Sequence, residues 1–161
     1  MRYLFTPQRI AQLDLMIRNL KKQADRTARI GFESGSEQDG HHDEGYQLSL
    51  RETAVLDTQL RNLMNIRDNA EVVVPVEQDQ QVRFGNGVEL IHENGEVLRL
   101  IVEGYVFDST KNRLSIHSPL GQAIIGAKQG DKVSFTVGNR TITVIVNKII
   151  LPSQAEKFCS A

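Results

Sequence analysis

The sequence predicts an α+β protein in two parts: an N-terminal antiparallel helical hairpin (a coiled coil), then a C-terminal antiparallel β domain with one short helix. Up to Asn69, apolar residues recur every three or four positions, which is the period of a helix face. Beyond Asn69, apolar and polar residues alternate as in half-buried strands, and glycine-containing turns separate the segments. We therefore expect a coiled-coil finger over residues 1–70, a linker over 71–78 and a β domain over 79–161.

The first helix is predicted from Pro7 to about Ile30. Its apolar residues step alternately by three and four positions, which is typical of a coiled-coil seam. These seam positions are Ile10, Leu13, Ile17, Leu20 and Ala24. Thr6 can cap the first turn, and Pro7 suits the first helical position, where its missing N–H has no partner to lose. The glycines of residues 31–36 then predict a break in the helix.

A second helix is predicted to begin near Tyr46 and carries the same spacing. Its seam positions are Tyr46, Ser49, Thr53, Leu56, Leu60 and Leu63. Two seams of similar length, joined by a short polar turn, are typical of an antiparallel helical hairpin. Each seam is one residue wide, and a buried Leu or Ile contributes only about 1.5–3 kcal/mol. The pattern therefore favours a thin finger over a globular bundle.

Strands follow in the C-terminal part. They are predicted around residues 81–84, 88–92 and 97–102, with a turn at 93–96 joining the last two. The clearest hairpin has alternating apolar residues on both sides of Gly138 and Asn139. These apolar positions are Val133, Phe135, Val137, Ile142, Val144 and Val146.

A short helix is predicted between these strands. Ser118 is a favourable N-cap, Pro119 suits the first helical position, and Gly126 can end the helix in a left-handed conformation. The β domain is thus expected to carry this one helix.

The composition excludes several functional classes. The 161 residues carry 19 basic and 20 acidic side chains, so the chain lacks the basic excess of a protein that coats nucleic acid. Its one cysteine, Cys159, excludes an intrachain disulfide framework and a multi-cysteine zinc cluster. No apolar run approaches the ~20 residues that cross a bilayer, and the N-terminus does not resemble a signal peptide. We expect a monomeric, cytoplasmic protein with no membrane partner.

Charge is unevenly distributed along the N-terminal part. Residues 1–30 contain seven basic and two acidic residues, whereas 31–45 contain five acidic residues and no Lys or Arg. The basic positions of the first helix, among them Arg18, Lys22 and Arg29, are either an ordinary solvated face or a surface for phosphate groups. The acidic segment between the helices is either a solvated turn or a second candidate site.

Three stretches resemble the Gre family of bacterial transcription elongation factors. Residues 116–126 (IHSPLGQAIIG) and 130–133 (GDKV) are similar to the signature of the family's C-terminal, FKBP-like β domain. Residues 82–88 (VRFGNGV) resemble the opening of that domain, and residues 3–7 (YLFTP) resemble the entry to the family's first long helix. The resemblance covers nearly the whole chain.

The resemblance implies a protein that acts on another enzyme and is not itself an enzyme. Gre factors dock their β domain at the rim of the secondary channel of RNA polymerase and push the hairpin down it. Two acids at the tip then help to hold the polymerase's second Mg²⁺ while the backtracked RNA is cleaved. The chain is thus expected to bind no cofactor stably and to share that Mg²⁺ with the polymerase if it stimulates cleavage.

The resemblance also assigns binding residues. Ser118, Pro119 and Leu120 correspond to the loop that docks on the polymerase core. The basic positions Arg18, Lys22 and Arg29 are expected to contact the channel or the RNA, whose 3′ end the protein meets indirectly.

The tip departs from the family's cleavage-active pattern, G-D-x-x-E-N-A-[ED]-Y. Aligned on its final tyrosine, residues 38–46 place Asp39 on the first acid and His42 on the second. Asp43 and Glu44 follow one and two positions later. We predict that Asp39, Asp43 and Glu44 are the tip residues that assist Mg²⁺, with His42 as a possible metal ligand.

Three functions remain compatible with this sequence. The rewritten tip could still stimulate cleavage, or the protein could occupy the channel as an inhibitor without stimulating cleavage. A more distant alternative is a binding module outside transcription. We expect no prolyl isomerase activity from an FKBP-like fold, because the chain has no Trp and fold analogy alone carries no activity.

Overall fold

The computed structural model describes residues 2–35, 44–108 and 112–160, and these form two compact units. The first unit is helical and comprises Gln8–Ala70. The second combines Arg2–Pro7 with the chain from Glu71 onward, and we call it the β unit.

Two helices, α1 (Pro7–Gly35) and α2 (Glu44–Asp68), make up the helical unit. Arg67, near the end of α2, donates through Nε to Oδ1 of Asp14, near the start of α1, at 2.6 Å. Farther along, Gln23 of α1 and Val55 of α2 line the same shallow groove. The helices are therefore antiparallel, as predicted.

The predicted seams form the interface between these helices. Most seam residues are buried, and the partly buried ones lie between them in the same rows. The buried positions of the two helices are Arg9, Ile10, Leu13, Ile17, Ala24, Ser49, Leu56, Leu63 and Ile66. A spacing of three and four residues thus correctly identified the contact faces.

The predicted end of the first helix is wrong, because α1 continues past Ile30 to Gly35. A glycine in a helix costs only about 1 kcal/mol relative to alanine, and adding a residue to an existing helix is much easier than starting one. Two glycines at the end of a long helix therefore need not stop it.

The β unit is built from short strands and two helices. The strands are β1 (Tyr3–Phe5), β2 (Ala70–Val72), β3 (Gly87–His92), β4 (Val97–Glu103), β5 (Arg113–Ser115), β6 (Lys132–Val137) and β7 (Arg140–Ile150). The helices are α3 (Pro119–Ile124) and α4 (Pro152–Cys159). Strand β1 pairs with β2, and the others form a sheet in the order β5-β4-β3-β7-β6.

The α+β class is confirmed, but the sheet is mixed and not wholly antiparallel. β3 pairs antiparallel with β4 and β7, and β7 pairs antiparallel with β6. The edge strand β5 runs parallel to β4, with Ile101 opposite Arg113. A parallel neighbour arises here because the chain leaves β4 and crosses back before it pairs again.

The structure describes residues 81–84, which were predicted to form a strand, but they do not form one. Val82 instead makes two backbone hydrogen bonds to the segment after α3. The amide of Val82 donates to Ala127 O and the amide of Gly126 donates to Val82 O, each at 2.8 Å. Arg83 donates its amide to the side chain of Asn86 at 3.0 Å. Alternating residues therefore indicated an extended segment but not its partners.

The sheet is covered on both faces. Val102 of β4 belongs to the main core with Ile124 of α3, whereas its neighbour Ile101 packs with Ala155 and Cys159 of α4. Successive side chains of a strand point to opposite faces, so α3 and α4 lie on opposite sides of the sheet. The prediction of a single helix in this domain is therefore wrong, since α4 is the second.

Charged side chains are buried on the α4 side of the sheet. Glu89 accepts hydrogen bonds from Asn147 Nδ2 at 2.6 Å and Arg99 Nε at 3.1 Å. The Asn147 bond holds the pKa of Glu89 below its usual value although burial acts in the opposite direction. Arg99 also lies over the ring of Phe158, 4.9 Å from its centroid. These contacts attach α4 to the strands beneath it.

Candidate functional site

The loop before α3 has the predicted capping geometry. Ser118 is extended (φ −72°, ψ 156°), and its Oγ accepts a hydrogen bond from the amide of Gly121 at 3.0 Å. The same hydroxyl donates to the carbonyl of Ser115 at 2.7 Å. Pro119 occupies the start of the helix, and Gly126 beyond it has φ +82°. The cap, the proline and the terminating glycine are confirmed.

The loop lies in close contact with α3 at Gly121, which has no side chain. A Cβ at Gly121 would lie 2.0 Å from Ser115 O and 3.0 Å from Ile116 Cα, so only glycine fits this approach. Ser115 is itself tied to β4, because its Oγ donates to Gly104 O at 3.1 Å. The loop is thus fixed by backbone contacts on both sides.

Gly104 extends this close packing to β1. A Cβ there would lie 2.3 Å from the carbonyl oxygen of Leu4. The rings of Tyr3 and Tyr105 also meet edge to face, with centroids 4.9 Å apart. The α3 loop therefore rests on a rigid base, which is what a binding surface needs in order to present side chains in one geometry.

An open groove of about 750 Å³ lies beside this loop. Its apolar lining comes from Phe84, Ile116 and Ile125, and 42% of Ile125 is exposed. Arg83 and His117 line it with polar groups, and both are exposed. The groove combines apolar contact area with a permanent positive charge, as a partner with an apolar residue beside an acid would require.

The predicted docking residues Ser118, Pro119 and Leu120 do not line this groove, although His117 and Gln122 on either side of them in sequence do. Pro119 is exposed, whereas Leu120 packs partly against the core and Ser118 uses its hydroxyl in the cap. The lining residues Arg83 and Phe84 were missed. They lie in the stretch that resembles the start of the Gre β domain, but their interpretation as a strand hid their placement beside α3.

The basic positions of α1 are exposed as expected. Arg18, Lys22 and Arg29 all lie on the solvent-facing part of the helix. Steps of four and seven residues place them along one side. This side can meet phosphate groups or the wall of an acidic channel without disturbing the seam.

The predicted tip lies mostly outside the described residues. Asp39, His42 and Asp43 lie outside the described ranges, whereas Glu44 is the first residue of α2 and is exposed. A carboxylate in a first helical turn interacts favourably with the helix dipole. Among the residues that the structure describes, no cluster of three His, Cys, Asp or Glu side chains could hold a metal ion.

The thiol of Cys159 is protonated at neutral pH. Burial raises the pKa of this thiol to about 11, so the thiolate needed for nucleophilic attack is scarce.

Within the described ranges, no helix is both long and apolar enough to span a bilayer.

Comparison with known proteins identifies the class of this fold and surface. Residues 77–150, which include α3 and the groove, match the family model described as "Transcription elongation factor, GreA/GreB, C-term". Most of the β unit is thus similar to the C-terminal domain of Gre factors, the family that the motifs also resemble.

Individual relatives and one solved structure are similar to this chain. The chain is 29% identical over 133 residues to transcription elongation factor GreA of Rhodospirillum rubrum, covering 80% of this chain and 84% of that protein. It is 34% identical over 91 residues to GreA of Rickettsia bellii, covering 55% and 56%. The solved structure of GreA factor homolog 1 (Gfh1) of Thermus thermophilus aligns with a TM-score of 0.45 at 22% identity, covering 92% of this chain and 99% of that one.

Proposed function

We propose that this protein binds the core of RNA polymerase through the groove beside α3 and inserts its helical pair into the secondary channel. There it modulates elongation or transcript cleavage as a helper of the polymerase. The observation that carries this proposal is the exposed groove next to the rigid loop at Ser118, inside the segment that matches the Gre family model. Similarity to a family of elongation factors supplies the partner.

The residues of the helical pair have separate roles in this proposal. Arg18, Lys22 and Arg29 contact the channel wall or the RNA phosphates. Asp39, Asp43 and Glu44 offer carboxylate oxygens, the ligands that Mg²⁺ prefers, to an ion that the polymerase holds. When bound there, Mg²⁺ supplies activation of the hydrolytic water. The protein's own contribution is to bring negative charge to that place.

The tip sequence favours a second candidate function. His42 stands where the cleavage-active pattern has its second acid, and an imidazole is a poorer ligand for Mg²⁺ than a carboxylate. A protein that enters the channel without an effective pair of carboxylates would occupy it as an inhibitor. The same assay separates the two functions.

Cleavage of RNA in a backtracked elongation complex is the direct test. We expect the wild-type protein to accelerate release of the RNA 3′ fragment, and Asp39→Ala or Glu44→Ala to reduce that acceleration by about 10–100-fold, as for residues that support a metal site. Glu52→Ala, which removes an exposed acid from the body of α2, is the matched control and should leave the rate unchanged.

The other outcomes of this assay are equally informative. If the wild-type protein gives no acceleration but blocks an added cleavage-active Gre factor, it is the channel inhibitor. If it neither accelerates cleavage nor blocks such a factor, the proposed function is wrong.

Docking is tested by reversing the charge of the groove. We expect Arg83→Glu to weaken binding to core polymerase by about tenfold, since a repulsive charge at an interface costs on the order of 1.4 kcal/mol or more. Arg140→Glu makes the same charge change at the exposed start of β7 and should bind normally. Equal affinities for the two variants, measured by fluorescence anisotropy, would remove the groove from the docking surface.

A further inference from the structure

The segment between the helical pair and the β unit, expected from sequence to be a linker, makes specific contacts along its length. We propose that residues 73–78 form a strap clamped to the rest of the β unit, with Glu77 and Asn86 as positioning residues that hold the backbone following β2. The clamp itself is independent of the function proposed above. Its consequence for polymerase rests on that function.

The strongest clamp is Asn86, whose side chain is fully buried. Its Nδ2 donates to Gln78 O at 2.7 Å and to Ile150 O at 2.9 Å. Its Oδ1 accepts from Gln78 Nε2 at 2.8 Å and from the amide of Arg83 at 3.0 Å. One amide group thus joins the end of the strap to β7 and to the segment that lines the groove.

The strap backbone also packs directly against the β unit. Gly85 has φ +92°, and a Cβ there would lie 2.4 Å from Pro75 Cβ, so the proline occupies the place of a side chain. Two residues earlier, the amide of Val73 donates to Phe5 O at 2.8 Å. Val73 and Pro75 are half-buried, whereas the intervening Val74 is 74% exposed. The strap therefore has one side turned to the β unit.

A third clamp joins the strap to α4. Glu77 accepts from the amide of Ser153 through Oε1 and from its hydroxyl through Oε2, both at 2.8 Å. Leu151, the N-cap residue of α4, provides no side-chain cap of its own. Glu77, which lies in the strap, therefore caps the N-terminus of α4. Its negative charge also interacts favourably with the positive end of the helix dipole.

The connections that join β1 to α1 and α2 to β2 are each one residue long. Only Thr6 separates β1 from α1, and only Asn69 separates α2 from β2. The chain passes from β2 directly into the strap, and the Val73 amide bonds to the last residue of β1. The clamped strap consequently adjoins, within the β unit, the strands β1 and β2 that lead along the chain to the two helices.

Amide hydrogen exchange of the full chain tests the clamp without polymerase. In Glu77→Ala/Gln78→Ala, we expect the amides of Val73 and Ser153 to lose protection by at least about tenfold, the equivalent of one charge-assisted hydrogen bond. The core amide of Val146 should exchange as in the wild type. Glu93→Ala, which removes an exposed carboxylate from the turn after β3, is the matched control.

Two results would overturn the clamp. They are an unchanged exchange rate at Val73, whether or not Ser153 loses protection, and equal acceleration of Val146, which would indicate global destabilisation. Neither of these depends on what the protein binds.

The consequence for polymerase is measured on the same variant. We expect Glu77→Ala/Gln78→Ala to bind core polymerase within about twofold of the wild type while its effect on RNA cleavage, or its blocking of another Gre factor, falls about tenfold through misplacement of the finger. An unchanged effect in a variant with a loosened strap would overturn the positioning role. A wild-type protein that does not bind polymerase would contradict the proposed function and leave the exchange result to decide the strap.

Discussion

Arg113→Met is expected to destabilise the β unit by about 3–5 kcal/mol, the usual cost of removing one partner from a buried ion pair. Arg113 lies in the short edge strand β5 with its side chain only 9% exposed. It pairs with Glu103, which is 5% exposed, and donates through Nη2 to Glu156 of α4 at 2.7 Å. Without the guanidinium, the buried carboxylate of Glu103 loses the charged partner that offsets its desolvation.

Urea unfolding of the full chain measures this effect. Arg140→Met, at the exposed start of β7, is the matched control and should stay within about 0.5 kcal/mol of the wild type, as is usual for a surface substitution. The double variant Glu103→Met/Arg113→Met should recover most of the lost stability, because apolar residues can replace a buried pair at little cost. A single variant as stable as the wild type, or a double variant less stable than the single one, would contradict the role of Arg113.

Gly121→Ala is expected to destabilise the protein by about 1–3 kcal/mol or more, as overpacking does. Helix propensity alone predicts the opposite sign, since alanine is favoured over glycine by about 1 kcal/mol in a helix. The new methyl group would lie 2.0 Å from the carbonyl oxygen of Ser115. Since that atom belongs to backbone tied to Gly104, it cannot move aside as a flexible side chain would.

The sign of the stability change decides between packing and propensity. Gly45→Ala, at an exposed glycine in the first turn of α2, should change the free energy of unfolding by less than about 1 kcal/mol. Gly121→Ala should also weaken binding to core polymerase, since it displaces the loop beside the groove. Thermal and urea unfolding that show a stabilised Gly121→Ala would mean that the loop can yield.

Much of the local structure, both in the helical unit and in the turns and cap of the β unit, could be predicted from sequence. The seams around Leu13 and Leu56 were recognised from their spacing alone, and the turns at Gly95 and Gly138 were recognised from residues that tolerate positive φ. The Ser118 cap was predicted in the same way. In each case the stabilising contacts lie within a few residues of one another, so a short stretch of sequence contains them.

Prediction of the candidate site was less complete. The capping geometry of Ser118 and Pro119 was predicted because capping is local, but Arg83 and Phe84 line the groove next to Val82, whose backbone bonds reach residues more than 40 positions away. The pairing of Val82 with Gly126 and Ala127 leaves no periodic signal in either segment. Helix α4 was missed although Pro152 at its start and the helix-forming residues that follow it are a usable signal.

The sequence alone was enough to predict the α+β class, the antiparallel helices, the main hairpins and the resemblance to the Gre family. Tertiary structure was needed for the strands of three residues, the parallel pairing of β5, the groove and the strap. Three residues cannot show a period, and β5 exists because β4 offers it a partner. Likewise, Glu77 and Ser153 meet across 76 positions of sequence, because the folded sheet brings them together and no local preference of either residue can specify the other.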